Sequence, residues 1–302
     1  MEGSGIDVAL AGCGRWGTRI LADLVALGAR VRVGDPSEGA RRAAIEAGAA
    51  EAAPGLDALG AVDAVIVATP TLRHAETIES AVRRGTPIFC EKPLTADPDS
   101  AHRLAQALDG RLWVLEKWRW HPAVEAIGAF AREEPLGTVR ALRTRRLQPS
   151  IAGYDVDPVW VLAPHELSIA TEILGGLPAI ARARAEFEAG SVVGLTGESD
   201  APGAWSFEVS VRAAERRREI ELVCSQGTAR WTSADEHAVR IEDERIPVDP
   251  EPPLRRELRA ALKFLRGGPP PKGSARESAA AVAALAAARR LAGVTPAGRP
   301  SR

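Results

Sequence analysis

Short apolar runs alternate with amphipathic stretches along the first 117 residues. Near-continuous hydrophobic segments fall at 6–11, 30–35, 63–68, 87–90 and 111–115. Between them, residues 18–28, 37–47, 72–84 and 97–108 carry apolar positions at helical spacing. Strands without polar alternation, joined by helical crossovers, predict a parallel sheet covered on both faces. Thr71 and Asp97 stand where helix caps are expected.

After Trp118 the pattern changes. A helix is expected over 122–133, a strand from Val139 after Gly137, and a helix over 164–174 that stops at Gly175-Gly176. Residues 179–248 read as antiparallel strands. Trp205, Phe207, Val209 and Val211 alternate with Ser206, Glu208, Ser210 and Arg212, which gives one dry face and one wet face. Helical patterns at 254–265 and 275–292 flank the loop at 267–274, and a frayed tail is expected after them. The helices at 164–174 and 254–265 are expected to cover the dry face. The chain thus reads as an α/β protein of two domains. Residues 1–118 form a doubly wound parallel sheet, and residues 119–302 form an α+β domain on an open, mainly antiparallel sheet.

The junction of the first strand and first helix carries the strongest chemical signal. Gly12-Cys13-Gly14-Arg15-Trp16-Gly17 joins a buried strand to a helix N-terminus, the arrangement that receives a dinucleotide pyrophosphate. Gly12 allows the tight turn, Gly14 lets backbone approach phosphate, and Gly17 lets helix and strand pack closely. Asp35 ends the second strand near the offset at which an acid meets the adenosine ribose hydroxyls. That acid favours NAD(H) and opposes a 2′-phosphate, while Arg41 and Arg42 leave NADP(H) open. Cys13 reads as a filler of the turn.

Composition narrows the class without naming it. A length of 302 residues exceeds what one hydrophobic core usually supports. A net charge of −1 gives no global field for nucleic acid or an anionic membrane. No apolar run approaches a membrane span, and no signal-peptide pattern precedes the first strand. Three scattered cysteines offer neither a metal cluster nor a disulfide framework, so a cytoplasmic protein without a metal is expected.

In open α/β sheets ligands bind beyond the carboxyl ends of the strands. Those positions hold Ala68-Thr69-Pro70 with His74, then Glu91-Lys92-Pro93-Leu94, then Arg119-Trp120-His121-Pro122. Their order and spacing resemble the glucose–fructose oxidoreductase / inositol dehydrogenase / MocA (Gfo/Idh/MocA) family over most of the chain, least between 180 and 250. The resemblance implies that Lys92 lies beside the nicotinamide and the reacting hydroxyl or carbonyl. Glu91 then supports it, and Pro93 locks the loop, often with a cis peptide before it. Thr69, Pro70 and His74 fall at family positions near the cofactor. A second signature, Trp160-Val161-Leu162-Ala163-Pro164-His165-Glu166-Leu167-Ser168, places His165 on the family's acid/base histidine. Val161 stands where the family usually has an aspartate, one helical turn away. That departure leaves Lys92 and His165 to handle protons, with Asp157, Tyr154 or Glu166 as the remaining polar candidates.

The resemblance implies an NAD(P)-dependent oxidoreductase acting on a secondary alcohol or ketone of a sugar, cyclitol or nucleotide sugar. Reduction of an imine or conjugated double bond is the enzymatic alternative, and a non-catalytic nucleotide sensor is a third. Candidate substrate residues are Arg119, Trp120, Tyr154, Trp160 and His165, with Trp118 and Trp120 also readable as fillers of a domain junction. Arg143 and Arg145 share a strand face that could meet an anion or simply be solvated. His102, His121 and His237 have no convergent partners in the sequence. A homodimer or homotetramer is expected, through the open sheet.

Overall fold

The computed structural model describes residues 5–200 and 203–294. The tail beyond 294, expected to fray, lies outside the described residues. The chain forms two compact units. Among the described residues, one contains 5–120 together with Glu251–Val282, and the other contains those between His121 and Pro250 together with 283–294.

In the first unit six strands form a parallel sheet in the order β3-β2-β1-β4-β5-β6: β1 (Asp7–Ala11), β2 (Arg30–Gly34), β3 (Glu51–Ala53), β4 (Ala64–Val67), β5 (Ile88–Glu91) and β6 (Leu112–Leu115). Four helices connect them: α1 (Gly17–Ala26), α2 (Glu38–Glu46), α3 (His74–Val82) and α4 (Pro98–Ala107). The central strands are fully buried, as their unbroken apolar runs require. The strand order reverses between β1 and β4, and this reversal opens the crevice in which such sheets bind ligands. Asp97 caps α4 by accepting from the Ser100 N–H at 3.0 Å. Thr71 instead opens a short 3-10 turn, and α3 begins without a side-chain cap.

The second unit is built on eight strands in the order β14-β13-β12-β11-β7-β10-β9-β8. These are β7 (Val139–Leu147), β8 (Arg182–Glu188), β9 (Ser191–Glu198), β10 (Ala204–Ser210), β11 (Arg217–Cys224), β12 (Gly227–Thr232), β13 (Ala238–Ile241) and β14 (Glu244–Pro247). All neighbours run antiparallel except β7 and β10. Trp205, Phe207 and Val209 of β10 and Ile220 and Leu222 of β11 are buried on one face. The helix α6 (Pro158–Leu174) packs on β7, β9 and β10, and α5 (Pro122–Glu133) packs on α6, β12 and β13. The opposite face is a charge ladder. Arg143 pairs with Glu221 at 2.8 Å and Arg145 with Glu208 at 3.1 Å, so these arginines belong to a solvated, self-neutralised surface.

Two expectations need correction. The helix expected over 164–174 starts six residues earlier. Asp157 caps it by accepting from the Val159 and Trp160 N–H groups at 3.0 and 3.3 Å, and Pro158 occupies the first turn, where its missing N–H costs nothing. Pro164 lies inside α6 rather than at its start. The helix α7 (Pro253–Leu265) does not cover the second sheet. It packs on α1, and Leu254, Leu258, Ala261 and Leu262 join the core of the first unit. Phe264 at its end meets Trp113 of β6 at 4.6 Å between ring centroids. The boundary expected at 118–119 therefore separates the two units only once, because residues 251–282 return to the first. The last helix, α8 (Ala275–Leu291), follows.

Among the described residues no helix is long and apolar enough to cross a membrane, and no group of three or more His, Cys, Asp or Glu side chains could hold a metal ion.

Candidate active site

The glycine turn explains its own sequence. Gly12 has φ +89°, and a Cβ there would lie 2.8 Å from the Ala68 carbonyl oxygen. A Cβ on Gly17 would lie 2.2 Å from the Gly12 carbonyl oxygen. Both must be glycine for the protein's own packing. At Gly14 nothing among the described residues lies within 4 Å of a Cβ, so the space beside it is open to a ligand. Helix α1 begins there with neither a capping side chain nor an acid in its first turn, which leaves its positive end to an anion. Arg15 is exposed on the same turn.

Asp35 closes the other side of this crevice. One carboxylate oxygen accepts the Cys13 N–H and the other accepts the Ser37 N–H, each at 2.8 Å. Each oxygen retains a lone pair with which to meet a ribose hydroxyl. Arg41 donates to the Asp35 and Pro36 carbonyl oxygens at 2.9 Å, and Arg42 lies 3.8 Å from Glu38. Both guanidiniums are engaged locally, and the residues present fit NAD(H).

The loops after β4 and β5 are joined by His74. Its ring is almost fully buried, with Nδ1 2.9 Å from the Pro93 carbonyl oxygen and Nε2 3.0 Å from that of Thr69. Whichever nitrogen carries a proton donates to its carbonyl. His74 thus braces the Lys92-Pro93 loop, whose Lys92–Pro93 peptide is cis, against the Thr69-Pro70 loop.

Glu91 ends β5 and is buried. It accepts the indole N–H of Trp16 on one oxygen and the Lys92 backbone N–H, at 3.2 Å, on the other. Burial raises its carboxyl above the ordinary range, while Lys92, Trp16 and Lys117 pull it back down. The Lys117 ammonium lies 4.1 Å from the centre of the Trp16 ring. Trp16 therefore turns toward the lysine loop of its own unit. Lys92 itself is half-buried.

Behind this cluster lies a residue that the sequence reading missed. Glu257 is 2% exposed, and neither carboxyl oxygen has a hydrogen-bond partner among the described residues. Burial, then the like charges of Glu91 and Glu116, push its carboxyl far above the ordinary range. The available signal was an acid on the apolar stripe of α7, between Leu254 and Leu258. In the unfolded chain Glu257 ionises normally, so above the ordinary carboxylate range folding must take up a proton. Stability then falls as pH rises, by up to about 1.4 kcal/mol per pH unit until the folded group ionises. Glu257→Gln keeps the shape without the titration. In urea denaturation its advantage over the wild type is expected to be absent near pH 4 and to grow between pH 5 and 8. A difference that does not change with pH would contradict this account.

Arg119 is buried and committed within its unit, 3.0 Å from Glu277 and 3.6 Å from Glu116. Burial raises the Glu116 carboxyl, which also accepts from the Ser278 hydroxyl at 2.8 Å. Trp118 is buried, and the Trp120 ring lies beneath the Lys272 ammonium at 4.8 Å. These groups brace the turn after β6.

In the second unit His165 is half-buried on α6, and Val161 is buried one turn before it. Two of the polar candidates to assist it are occupied. Asp157 caps α6 and holds Arg289 at 2.7 and 2.9 Å, and Arg289 also lies over the Trp160 ring at 5.6 Å. Glu166 forms a fully buried pair with Arg146 at 2.6 Å. Tyr154 is 45% exposed in the loop before α6. His121 caps α5 by accepting the Ala123 N–H at 3.2 Å, a role the sequence reading did not assign. His102 and His237 are exposed.

Residues 6–114 match the model of an oxidoreductase family with an NAD-binding Rossmann fold, GFO_IDH_MocA. A UDP-N-acetylglucosamine 3-dehydrogenase of Acidithiobacillus ferrooxidans is 33% identical over 157 residues, which cover 50% of this chain and 47% of that protein. Inositol 2-dehydrogenase 1 of Paenarthrobacter aurescens is 37% identical over 95 residues, covering 30% of this chain and 28% of that protein. The chain spans about half or less of the length of these curated relatives. Among solved structures, UDP-N-acetylglucosamine 3-dehydrogenase GnnA from A. ferrooxidans has a TM-score of 0.84 at 23% identity, covering 97% of this chain and 99% of that one. An oxidoreductase from Agrobacterium radiobacter, in complex with NAD+, L-tartaric acid and magnesium, has a TM-score of 0.83 at 19% identity, covering 96% and 97%. At these identities the structural likeness is one of fold.

Proposed function

We propose, for a chain that belongs to the Gfo/Idh/MocA oxidoreductase family, an NAD-dependent dehydrogenase acting on a secondary alcohol of a sugar, cyclitol or nucleotide sugar. The observation that carries the reading is the Lys92 loop at the carboxyl end of β5, tied through Glu91 to the glycine turn that would hold the pyrophosphate. Gly12, Gly14, Arg15, Gly17 and Asp35 would hold the dinucleotide, with Thr69, Pro70 and His74 bordering it. When bound, the dinucleotide supplies hydride acceptance at its nicotinamide ring. Lys92 as the free amine takes the alcohol proton, and in the reverse direction its ammonium polarises the carbonyl and returns that proton. His165 is assigned a supporting role in proton handling, and the half-exposed Tyr154 in the loop before α6 remains a substrate candidate. Arg119 and Trp160 are better explained as internal braces.

Val161 favours one second reading. A valine can neither orient His165 nor accept a proton, and that assistance matters most in abstracting a proton from an alcohol. Reduction of an imine or conjugated double bond needs it less. Absorbance at 340 nm separates the readings. NAD+ with myo-inositol or UDP-N-acetylglucosamine should give NADH, and NADP+ should give at least about tenfold less, since Asp35 opposes a 2′-phosphate. NADPH formation at equal rate would overturn the cofactor assignment. NADH consumption on imines alone would favour the second reading, and no turnover in any arm would favour a nucleotide-binding protein.

A homo-oligomer assembled through the open sheet belongs to the same reading. The paired charges of Arg143, Glu221, Arg145 and Glu208 present both signs on one surface, which a second copy could match. Light scattering that finds only monomer at micromolar concentration would remove it. Three cysteines without disulfides suit a cytoplasmic setting, and cell fractionation tests that.

A further inference from the structure

In the reading above the Trp16 side chain only ties the glycine turn to Glu91 and has no part in controlling Lys92. The Trp16 backbone forms the N-terminal boundary of α1, where its carbonyl oxygen accepts from the Arg19 and Ile20 N–H groups at 3.0 and 3.2 Å. Its indole N–H does not point to solvent but donates to Glu91, 75 residues away on β5. Its ring face receives the Lys117 ammonium from the turn after β6. One side chain thus touches the carboxyl ends of two strands while standing on the loop after a third.

From this geometry we propose that Trp16 is a positioning residue for Lys92. Its indole N–H fixes the Glu91 carboxylate, whose other oxygen holds the Lys92 backbone N–H, so the dinucleotide turn and the lysine loop are held in one arrangement. The inference rests on the reading of Lys92 as the proton-handling group. It goes beyond that reading by placing a residue of the nucleotide motif in the service of the lysine rather than of the cofactor.

The physical logic is electrostatic as well as geometric. Glu91 is flanked by Lys92 and Lys117 as cations and by Glu257 and Cys90 as acids. Hydrogen bonds to the charged form favour it, so the indole N–H helps Glu91 remain a carboxylate despite burial. A firmly ionised Glu91 in turn favours the ammonium form of Lys92. Removing the indole donor weakens both effects at once.

The test compares Trp16→Phe, which keeps a ring for Lys117 but loses the donor, with Glu91→Gln, which loses the charge and turns one of the two accepting oxygens into a donor. Competitive acetylation of the folded protein with acetic anhydride at pH 8, read by mass spectrometry, reports the free-amine fraction of Lys92. Trp16→Phe should raise Lys92 labelling about threefold, because a less firmly ionised Glu91 supports the ammonium form less. Calorimetric NADH affinity should stay within about threefold of wild type, because the N–H lost faces protein rather than cofactor. Glu91→Gln should raise labelling by the same route, and the double variant should add little to it. Glu91→Gln also serves should Trp16→Phe fold poorly.

Unchanged Lys92 labelling in both single variants would overturn the inference. So would weaker NADH binding with labelling unchanged in Trp16→Phe, which would make Trp16 a direct cofactor ligand. Failure of the underlying reading appears elsewhere, as full turnover in Lys92→Ala, and the labelling result would stand apart from it.

Discussion

Lys92→Ala is expected to lower turnover by about 10²-fold or more while leaving NADH affinity near the wild-type value. The loss is the lower range for removing general acid–base assistance. Binding should survive because the groups that would hold the dinucleotide belong to other segments: the open space at Gly14, the uncapped start of α1 and the doubly anchored Asp35. Steady-state rates at 340 nm and calorimetry make the comparison. His165→Ala should lose less than Lys92→Ala if Lys92 alone moves the proton. Val161→Asp restores the family's side chain in a buried position, where an unpaired carboxylate protonates or destabilises. Gained activity is expected only if that carboxyl reaches His165.

The largest effect on stability should come from Glu166→Leu. Arg146 on β7 and Glu166 on α6 are both almost wholly buried and meet at 2.6 Å. Removing the carboxylate leaves a guanidinium in the core, and breaking such a pair typically costs about 3–5 kcal/mol. The cost should fall near the top of that range, because the neighbourhood is already positive. Arg218, the cross-strand partner of Arg146, is lowered to about 10 by burial and by the charges of Arg146 and Arg216. Replacing both partners, with Arg146→Met and Glu166→Leu together, should recover most of the loss. Urea denaturation of the single and double variants decides it. A single variant within 1 kcal/mol of wild type, a small effect on the scale of such pairs, would mean that water or another acid reaches Arg146.

The sequence was most legible where a pattern is local. The parallel strands needed only unbroken apolar runs, and the turn at 12–17 needed only its glycines. Both took their expected places. The strand Glu51–Ala53 escaped because three residues carry no periodicity. The start of α6 was misplaced because Pro164 resembles a helix start, whereas Asp157-Pro158 supplies the cap and the first-turn proline. Amphipathicity identified α7 as a helix with one dry face. It could not say which sheet that face would meet, and the face joined a core assembled from residues up to about 250 positions earlier.

The site divided in the same way. Gly12 and Asp35 could be singled out from spacing and residue type, whereas Lys92 and His74 were singled out only by the family resemblance. The engagements of Trp16 with Glu91 and of Asp157 with Arg289 join residues 75 and 132 positions apart, and no period in the chain connects them. Those two contacts changed the assignments most. The first turns a nucleotide-motif tryptophan toward the lysine loop, and the second removes an acid from the list of groups able to assist His165.

The central claim is that Lys92 manages the proton of a hydride transfer involving NAD. The most direct measurement is the pH dependence of 340 nm turnover by wild-type protein and Lys92→Ala, with NAD+ and a cyclitol or nucleotide sugar that the wild type oxidises. The wild type should show a limb in which activity rises as the lysine loses its proton, because only the free amine accepts the alcohol proton. Lys92→Ala should lack that limb and retain only a small residual rate. The same limb and rate in Lys92→Ala would contradict the account.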